Sequence, residues 1–217
     1  PRAGIVAEPT RLIPVYAHKG AAMIYVTAHG VAAHTSTDRG ISANFLIAPF
    51  LAEMADLAKR LKTDASYHRA EFDPPTPGFN MTLDDGGCRQ NVTAPKTVCT
   101  VCFRPMPNDR SADLIAFITE RAHHHGLEVA TTFSQAFSGR PDAAIVRAAL
   151  TATGAAKPET VPYGTEATYY QDTLELVILG PGDIAQAHTK GEWVAIAQLD
   201  RAVEIYRALI DRFCVNP

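Results

Sequence analysis

The sequence predicts a mixed α/β (α+β) protein in which one domain is inserted into another. Between residues 22 and 133, strand-like and helix-like segments alternate in the order β-α-β-β-α-β. This order is typical of the ferredoxin-like fold, in which four antiparallel strands carry two helices on one face. Apolar strands and amphipathic helices flank this unit on both sides, as pieces of a second, α/β domain. We therefore expect domain segments at residues 1–17 and 137–217 and an inserted domain at residues 18–136.

The inserted domain begins with a strand and a long helix. Residues 22–29 alternate between two sets of side chains, as a strand does. In residues 42–62, apolar side chains recur at helical spacing, which predicts an amphipathic helix. Pro49 lies inside this segment and should either kink the helix or mark its true beginning.

The second half of the inserted domain repeats the pattern. Residues 79–83 and 96–104 alternate like strands. Ser111 can cap a helix that ends at Gly126, because a hydroxyl satisfies free amides at a helix start and glycine accepts the left-handed conformation at a helix end. Residues 127–133 then supply the last strand.

The flanking domain is expected to build its site at the end of a buried strand. A short buried strand is predicted at residues 3–6, a helix at residues 142–153 and a further strand around Tyr163. The apolar run of residues 174–179 stops at a Gly-Pro-Gly turn, and the following loop carries His188. Loops at the carboxyl edge of an α/β sheet are where ligands usually bind. In the final helix we expect a buried stripe made of Leu199, Ala202, Val203, Tyr206, Leu209, Ile210 and Phe213.

Composition excludes several classes of protein. The net charge is −3, with acids and bases interspersed. The sequence therefore has neither a basic stripe that would bind nucleic acid nor an acidic tail. No apolar run is long enough to cross a bilayer. The four cysteines are too few and too scattered for a disulfide scaffold, which favours a reducing cytoplasm.

Two clusters of potential metal ligands are better explained as structural. Cys99 and Cys102 form a C-x-x-C, but they lie on a predicted strand, where positions three apart point to opposite faces. We interpret them as small core residues. The run His123-His124-His125 ends a helix, where cationic side chains suit the helix dipole, so we expect a solvated cap.

Seven short motifs occur in order along the whole chain. They are Ala7-Glu8-Pro9-Thr10, Ala17-His18-Lys19-Gly20, Ala33-His34-Thr35-Ser36, Gly86-Gly87 with Asn91, Phe103-Arg104-Pro105, Gly164-Thr165-Glu166-Ala167, and Leu179-Gly180-Pro181-Gly182 followed by Ala187-His188. Together these motifs resemble the M20 metallopeptidase and deacylase family, and the last two are most similar to those of the acetylornithine deacetylases within this family.

This resemblance implies a zinc-peptidase-like α/β catalytic domain with two divalent metal ions, interrupted by a ferredoxin-like lid that forms a homodimer. By position, Glu8 resembles a carboxylate ligand of one metal, and His188 resembles the imidazole ligand of the other. His34 resembles the residue that reaches from the lid into the partner's active site and polarises the scissile carbonyl. The positions that resemble substrate contacts are Lys19, Asn91, Arg104, Gly164, Thr165 and Glu166.

The chemistry implied is hydrolysis of a linear amide in a small N-acyl amino acid or dipeptide. Two metal ions can share and activate a water molecule, and carboxylate and imidazole ligands suit zinc, with cobalt or manganese as alternatives. From the residue pattern alone, Glu8 is also compatible with a solvated loop residue and His188 with a surface histidine. Glu166 is compatible with either a substrate-amine contact or an ordinary loop residue.

The family's first-half metal ligands have no counterpart in this sequence. We therefore expect the chain to be part of a longer protein and, as given, to be inactive. Two alternatives remain open. The chain is a non-catalytic dimerisation or binding module, or the enzyme is a dipeptidase or a succinyl-diaminopimelate desuccinylase of the same family.

Overall fold

A computed structural model describes residues 2–215 of the chain, which divide into two compact units. The outer unit contains the chain up to residue 20, residues 71–73 and the chain from residue 135 onward. The inserted unit contains residues 21–70 and 74–134. The elements in chain order are β1 (Ala3–Val6), β2 (Val15–His18), β3 (Ala21–His29), α1 (Ala43–Thr63), β4 (Asn80–Asp84), β5 (Lys96–Phe103), α2 (Ser111–His124), β6 (Glu128–Ser134), β7 (Phe137–Ser138), α3 (Ala144–Thr153), β8 (Glu159–Val161), α4 (Ala167–Tyr170), β9 (Glu175–Ile178) and α5 (Ile196–Ile210).

The inserted unit has the β-α-β-β-α-β order that the sequence predicts, which confirms the fold class. Its four strands form an antiparallel sheet in the order β4-β5-β3-β6. Alternate residues of β3, including Ile24 and Val26, are fully buried, whereas Met23 on the opposite face is 40% exposed. One face of the sheet therefore packs against α1 and α2, and the other remains open.

Helix α1 starts at Ala43 with Pro49 inside it, so the alternative in which proline marks the helix start is wrong. Its buried side chains recur at intervals of three and four residues, and each contributes about 1.5–3 kcal/mol by leaving water. The burial of this stripe outweighs the backbone hydrogen bond that Pro49 cannot donate, so the helix continues through the proline. The stripe consists of Ile47, Phe50, Met54, Leu57 and Leu61.

Helix α2 differs from the prediction at both ends. Ser111 is its first residue rather than its cap, and the Asp109 carboxylate accepts the Ser111 backbone amide at 2.9 Å. At the other end, Gly126 has φ of +70° just after the helix, as predicted. His123 and His124 are exposed in the last turn, as the prediction of a solvated cap requires. His125 differs, because its Nε2 lies 2.9 Å from the Glu53 carboxylate on α1, a partner 72 positions away.

The outer unit is built on a sheet in the order β1-β9-β2-β7, with β8 paired to β2. Strands β1 and β9 are parallel, and Val6 lies opposite Ile178. The predicted strand around Tyr163 ends earlier, at Val161, and Tyr163 lies in the turn that follows.

The predicted buried stripe of α5 is only partly correct. Ala202, Ile205 and Leu209 are buried, but Val203 and Ile210 are more than half exposed. The Tyr206 hydroxyl donates to the Leu179 carbonyl at 2.7 Å and so fixes which face of the helix meets the sheet. An apolar pattern wider than one face does not specify this rotation.

The cysteines on β5 follow the strand alternation. Cys99 is buried in the core, and burial raises the pKa of its thiol to about 11, whereas Cys102 points to the open face. Cys88, Cys99, Cys102 and Cys214 are all free thiols. Across residues 2–215, no helix combines the length and apolarity that a membrane span requires.

Candidate active site

Glu8 lies at the carboxyl end of the parallel pair β1 and β9. Its backbone is fixed from two sides, because Gly180, just beyond β9, exchanges hydrogen bonds with Thr10. The Thr10 amide donates to the Gly180 carbonyl at 3.1 Å, and the Gly180 amide donates to the Thr10 hydroxyl at 3.2 Å. A Cβ on Gly180 would lie only 2.5 Å from the Glu8 carbonyl oxygen. Glycine at this position thus lets the two strand ends approach closely.

The Glu8 carboxyl group is half-buried and lies near the Glu166 carboxyl group. Burial raises the pKa of Glu8, the negative charge of Glu166 raises it further, and the nearby His188 imidazole lowers it. The outer unit therefore brings together Glu8, Glu166 and His188, which are far apart in sequence.

His188 follows a short 3-10 turn after β9. The Asp183 carboxylate begins this turn by accepting the Ala185 amide at 2.9 Å. His188 itself has φ of +61°, in the left-handed region that non-glycine residues seldom adopt. Its side chain is exposed. The loop therefore holds this histidine in a strained backbone conformation.

The segment that carries Glu166 is tied to β2 through a histidine. The Thr165 amide donates to Nε2 of His18 at 3.2 Å, and the Ala167 amide donates to the Thr165 hydroxyl at 3.1 Å. Gly164 packs beside the same histidine, with room for a Cβ at 3.4 Å from the Lys19 carbonyl oxygen. The predicted substrate positions Gly164, Thr165 and Glu166 thus form one braced loop.

Lys19, which the sequence resemblance assigns to substrate binding, is 1% exposed in the structure. Its ammonium group lies 5.6 Å from the centre of the Phe72 ring, a distance that permits a cation–π interaction. Lys19 therefore lies inside the outer unit, and its contact with substrate stays a prediction.

The remaining predicted residues lie in the inserted unit, at two separate places. His34 and Asn91 belong to neighbouring loops, since the Thr35 amide donates to the Asn91 carbonyl at 3.0 Å. The His34 Nδ1 accepts the Ser36 amide at 3.2 Å, and its ring is exposed. Asn91 precedes β5, whereas Arg104 follows it. The strand between them is about 23 Å long at 3.3 Å per residue. The three residues do not converge within one subunit.

The residues present fit a metal centre only in part. A carboxylate beside an imidazole is a donor set that zinc prefers. Among residues 2–215, however, no group of three or more His, Cys, Asp or Glu side chains is placed to hold a metal ion. Two donors are fewer than a stable zinc site needs.

Sequence reasoning overlooked three contributors to this site. His18 had no signal beyond its place in a motif, and Gly180 was interpreted as a turn residue only. Tyr163 borders Glu8, because burial and the Glu8 charge raise the pKa of its hydroxyl to about 12. Its hydroxyl donates to the Pro9 carbonyl at 3.5 Å. The pairings of β1 with β9 and of β2 with β8 and β9 bring these residues to one place.

Comparison with known proteins gives consistent relatives. The acetylornithine deacetylase of Myxococcus xanthus is 35% identical to the chain over 225 residues, which cover 98% of the chain and 58% of that protein. The acetylornithine deacetylase of Proteus mirabilis is 29% identical, with 99% of the chain and 57% of that protein covered. The chain therefore spans somewhat more than half the length of these curated relatives.

Solved structures share the fold at low sequence identity. Aminopeptidase PepT from Bacillus cereus matches 97% of the chain with a TM-score of 0.68 at 16% identity, over 57% of its own chain. A tripeptidase from Staphylococcus aureus matches 97% of the chain with a TM-score of 0.67 at 17% identity, over 56% of its own chain.

The family model described as the peptidase dimerisation domain of the M20 family matches residues 16–130. This match contains all of β3, β4 and β5 and both helices, α1 and α2, of the inserted unit. Since it extends over more than half of the sequence, the chain belongs to the M20 peptidase family.

Proposed function

We propose that the chain is the larger part of a metal-dependent amidohydrolase that removes the acyl group from an N-acyl amino acid, with acetylornithine-like substrates favoured. The observation that carries this proposal is the meeting of Glu8, Glu166 and His188 at the carboxyl edge of the outer sheet. The names of the curated relatives support the substrate class.

Glu8 and His188 would hold divalent metal ions, two in number and zinc by preference, with cobalt or manganese as alternatives. When bound, such ions supply an activated water and stabilise the oxyanion formed at the amide. The remaining ligands would lie in the part of the relatives' length that this chain does not cover. We therefore propose that the isolated chain is inactive.

The chain's other residues would bind and orient the substrate. Glu166 offers a carboxylate to a substrate amine, and the backbone at Gly164 and Thr165 lines the pocket of the acyl amino acid. Arg104 offers a planar fork that matches a carboxylate group. Lys19 is a more distant contributor, since its side chain is buried.

A homodimer formed through the inserted unit would reconcile the positions of Asn91 and Arg104. Because Asn91 precedes β5 and Arg104 follows it, one subunit would not offer both to a single small substrate. A substrate carboxylate could meet both only if they came from different subunits. We propose that His34 acts with Asn91 across the dimer and polarises the scissile carbonyl, a contribution whose loss costs about 10²–10³ in rate.

The proposal is tested by measuring zinc content and hydrolysis of N-acetyl amino acids for the chain alone and for the full-length protein that carries it. The intact mass of the natural protein, compared with 23.4 kDa for the chain, identifies the full-length form. We expect metal binding and turnover only in the full-length protein. Turnover by the chain alone would contradict the assignment of missing ligands.

A non-catalytic dimerisation or binding module is a second candidate, favoured by the lack of a three-ligand group among residues 2–215. It predicts a stable dimer of the chain and no hydrolysis even in the longest natural form. Within the enzyme hypothesis, a panel of dipeptides, N-succinyl-diaminopimelate and N-acetylornithine separates the three substrate classes. We also propose a reducing cytoplasm as the compartment of the protein, a setting with which four free thiols are compatible.

A further inference from the structure

His18 is a buried histidine whose two ring nitrogens both contact backbone groups. Its Nδ1 lies 2.8 Å from the Lys19 carbonyl oxygen, and its Nε2 lies 3.2 Å from the Thr165 amide nitrogen. A carbonyl oxygen can only accept a hydrogen bond, and an amide N–H can only donate one. The partners therefore fix the tautomer: Nδ1 carries the proton and Nε2 accepts.

We propose that His18 is a positioning residue that sets the place of Glu166 opposite Glu8 by accepting the Thr165 amide. This inference rests on the proposed function, in which Glu166 contacts the substrate amine. The hydrogen bond joins residues 147 positions apart, so it ties the Glu166 loop to β2, which lies in the middle of the outer sheet. Glu166 is the next residue after Thr165, and its carboxyl group lies near that of Glu8, whose pKa it raises.

The surroundings of His18 keep its ring neutral and in place. The ring is 1% exposed and packs 5.6 Å from the centre of the Phe137 ring, on the neighbouring strand β7. Burial lowers the pKa of the imidazole, while its backbone hydrogen bonds oppose this shift. A second ring proton would turn Nε2 into a donor that faces the Thr165 N–H. Only the neutral ring can therefore hold the loop.

The loop itself is arranged so that this hydrogen bond matters. The Thr165 hydroxyl accepts the Ala167 amide, and the Glu166 carbonyl accepts the Tyr169 amide at 3.0 Å, which together start the short helix α4. These bonds shape the turn locally. The bond to His18 adds a long-range constraint that ties Thr165 to β2, beside the bonds from the Tyr163 hydroxyl to the Pro9 carbonyl and from the Thr168 hydroxyl to the Gln135 carbonyl. A shift of about 1 Å in a substrate contact can cost about 10²-fold in rate.

The test uses two variants that separate the ring nitrogens. Asparagine places a donor near the position of Nδ1 and no acceptor near Nε2, whereas glutamine can place its carbonyl oxygen near Nε2. In the full-length protein, we expect His18→Asn to lower kcat/KM for an N-acetyl amino acid by about 10–100-fold, and His18→Gln to recover most of that loss. His29, an exposed histidine paired with Glu128, provides the control. His29→Asn should leave kcat/KM unchanged.

Hydrogen exchange provides a readout that does not depend on activity. In His18→Asn, the peptide with residues 163–169 should exchange its amides at least tenfold faster than in the wild type, and His18→Gln should restore slow exchange. Unchanged exchange in His18→Asn, or a glutamine variant as impaired as the asparagine variant, would overturn the proposal. If the wild-type protein hydrolyses no N-acyl amino acid while exchange responds as expected, the proposed function fails and the bracing by His18 stands.

Discussion

Replacing Gly180 with alanine should damage both the stability of the outer unit and the position of Glu8. The new Cβ would lie 2.5 Å from the Glu8 carbonyl oxygen and 3.0 Å from the Ala7 carbonyl carbon. Both are backbone atoms that cannot rotate away. An ordinary contact requires about 3.4 Å or more, so the strand end that carries Glu8 must move by about 1 Å.

The magnitude follows from overpacking, which typically costs about 1–3 kcal/mol. Because every clashing atom belongs to the backbone of Ala7 and Glu8, we expect about 2–3 kcal/mol, which corresponds to a fall in Tm of about 4–12 °C for a protein of this size. In the full-length protein, a displacement of Glu8 by about 1 Å should also lower kcat/KM by about 10²-fold.

Thermal unfolding followed by circular dichroism measures the first effect, and steady-state kinetics measures the second. Gly4→Ala is the matched control, since its Cβ would meet the Leu176 Cδ2 at 2.9 Å, an atom at the end of a flexible side chain. It should lower Tm by much less. A Gly180→Ala variant whose Tm lies within about 1 °C of the wild type would refute the reasoning.

Three further predictions concern the inserted unit. Glu53→Gln breaks a bidentate pair with Arg121, whose two bonds are 2.6 and 2.8 Å long. We expect this change to lower the free energy of unfolding in urea at pH 7 by about 1–2 kcal/mol. Asp56→Asn, in an exposed pair with Lys59, is the control and should not move the urea midpoint. The Arg121 guanidinium lowers the pKa of Glu53 from 4.5 to about 2. The stability that the pair contributes is therefore complete above pH 4.5 and is lost as pH falls toward 2. The difference in unfolding free energy between the wild type and Glu53→Gln should shrink across this window, and a constant difference would contradict the prediction. His34→Ala in the full-length protein should lower kcat by about 10²–10³ with metal content and dimer retained, and mixed dimers with Glu8→Ala should regain activity; a lack of recovery would argue against action across the interface.

Local patterns were sufficient to predict the inserted unit. The alternation of β3 and β5 and the helical spacing of α1 are properties of short segments, and each segment buries the face that its own pattern marks. The errors arose where a distant partner decides. His125 was interpreted as a solvated cap, but Glu53 lies within hydrogen-bond distance of it.

The candidate site could be predicted only through family resemblance. The motifs indicated Glu8 and His188, but composition and spacing cannot show that Glu166 contacts Glu8. That contact depends on the pairing of β1 with β9, which joins the two ends of the chain. The braces His18 and Gly180 were missed for the same reason, since their roles exist only once distant strands are adjacent.

The strand pairing at the boundary of the two units makes the insertion an exchangeable cassette. Ala21 lies opposite Ser134 at one end of the inserted sheet, so the chain enters and leaves that unit side by side. In the outer unit, His18 lies opposite Phe137. Excising residues 21–134 would leave a hairpin whose loop has about four residues, a length that natural hairpins use. The inserted unit could thus be replaced as one segment, at the cost of the packing that Phe72 gives to Lys19.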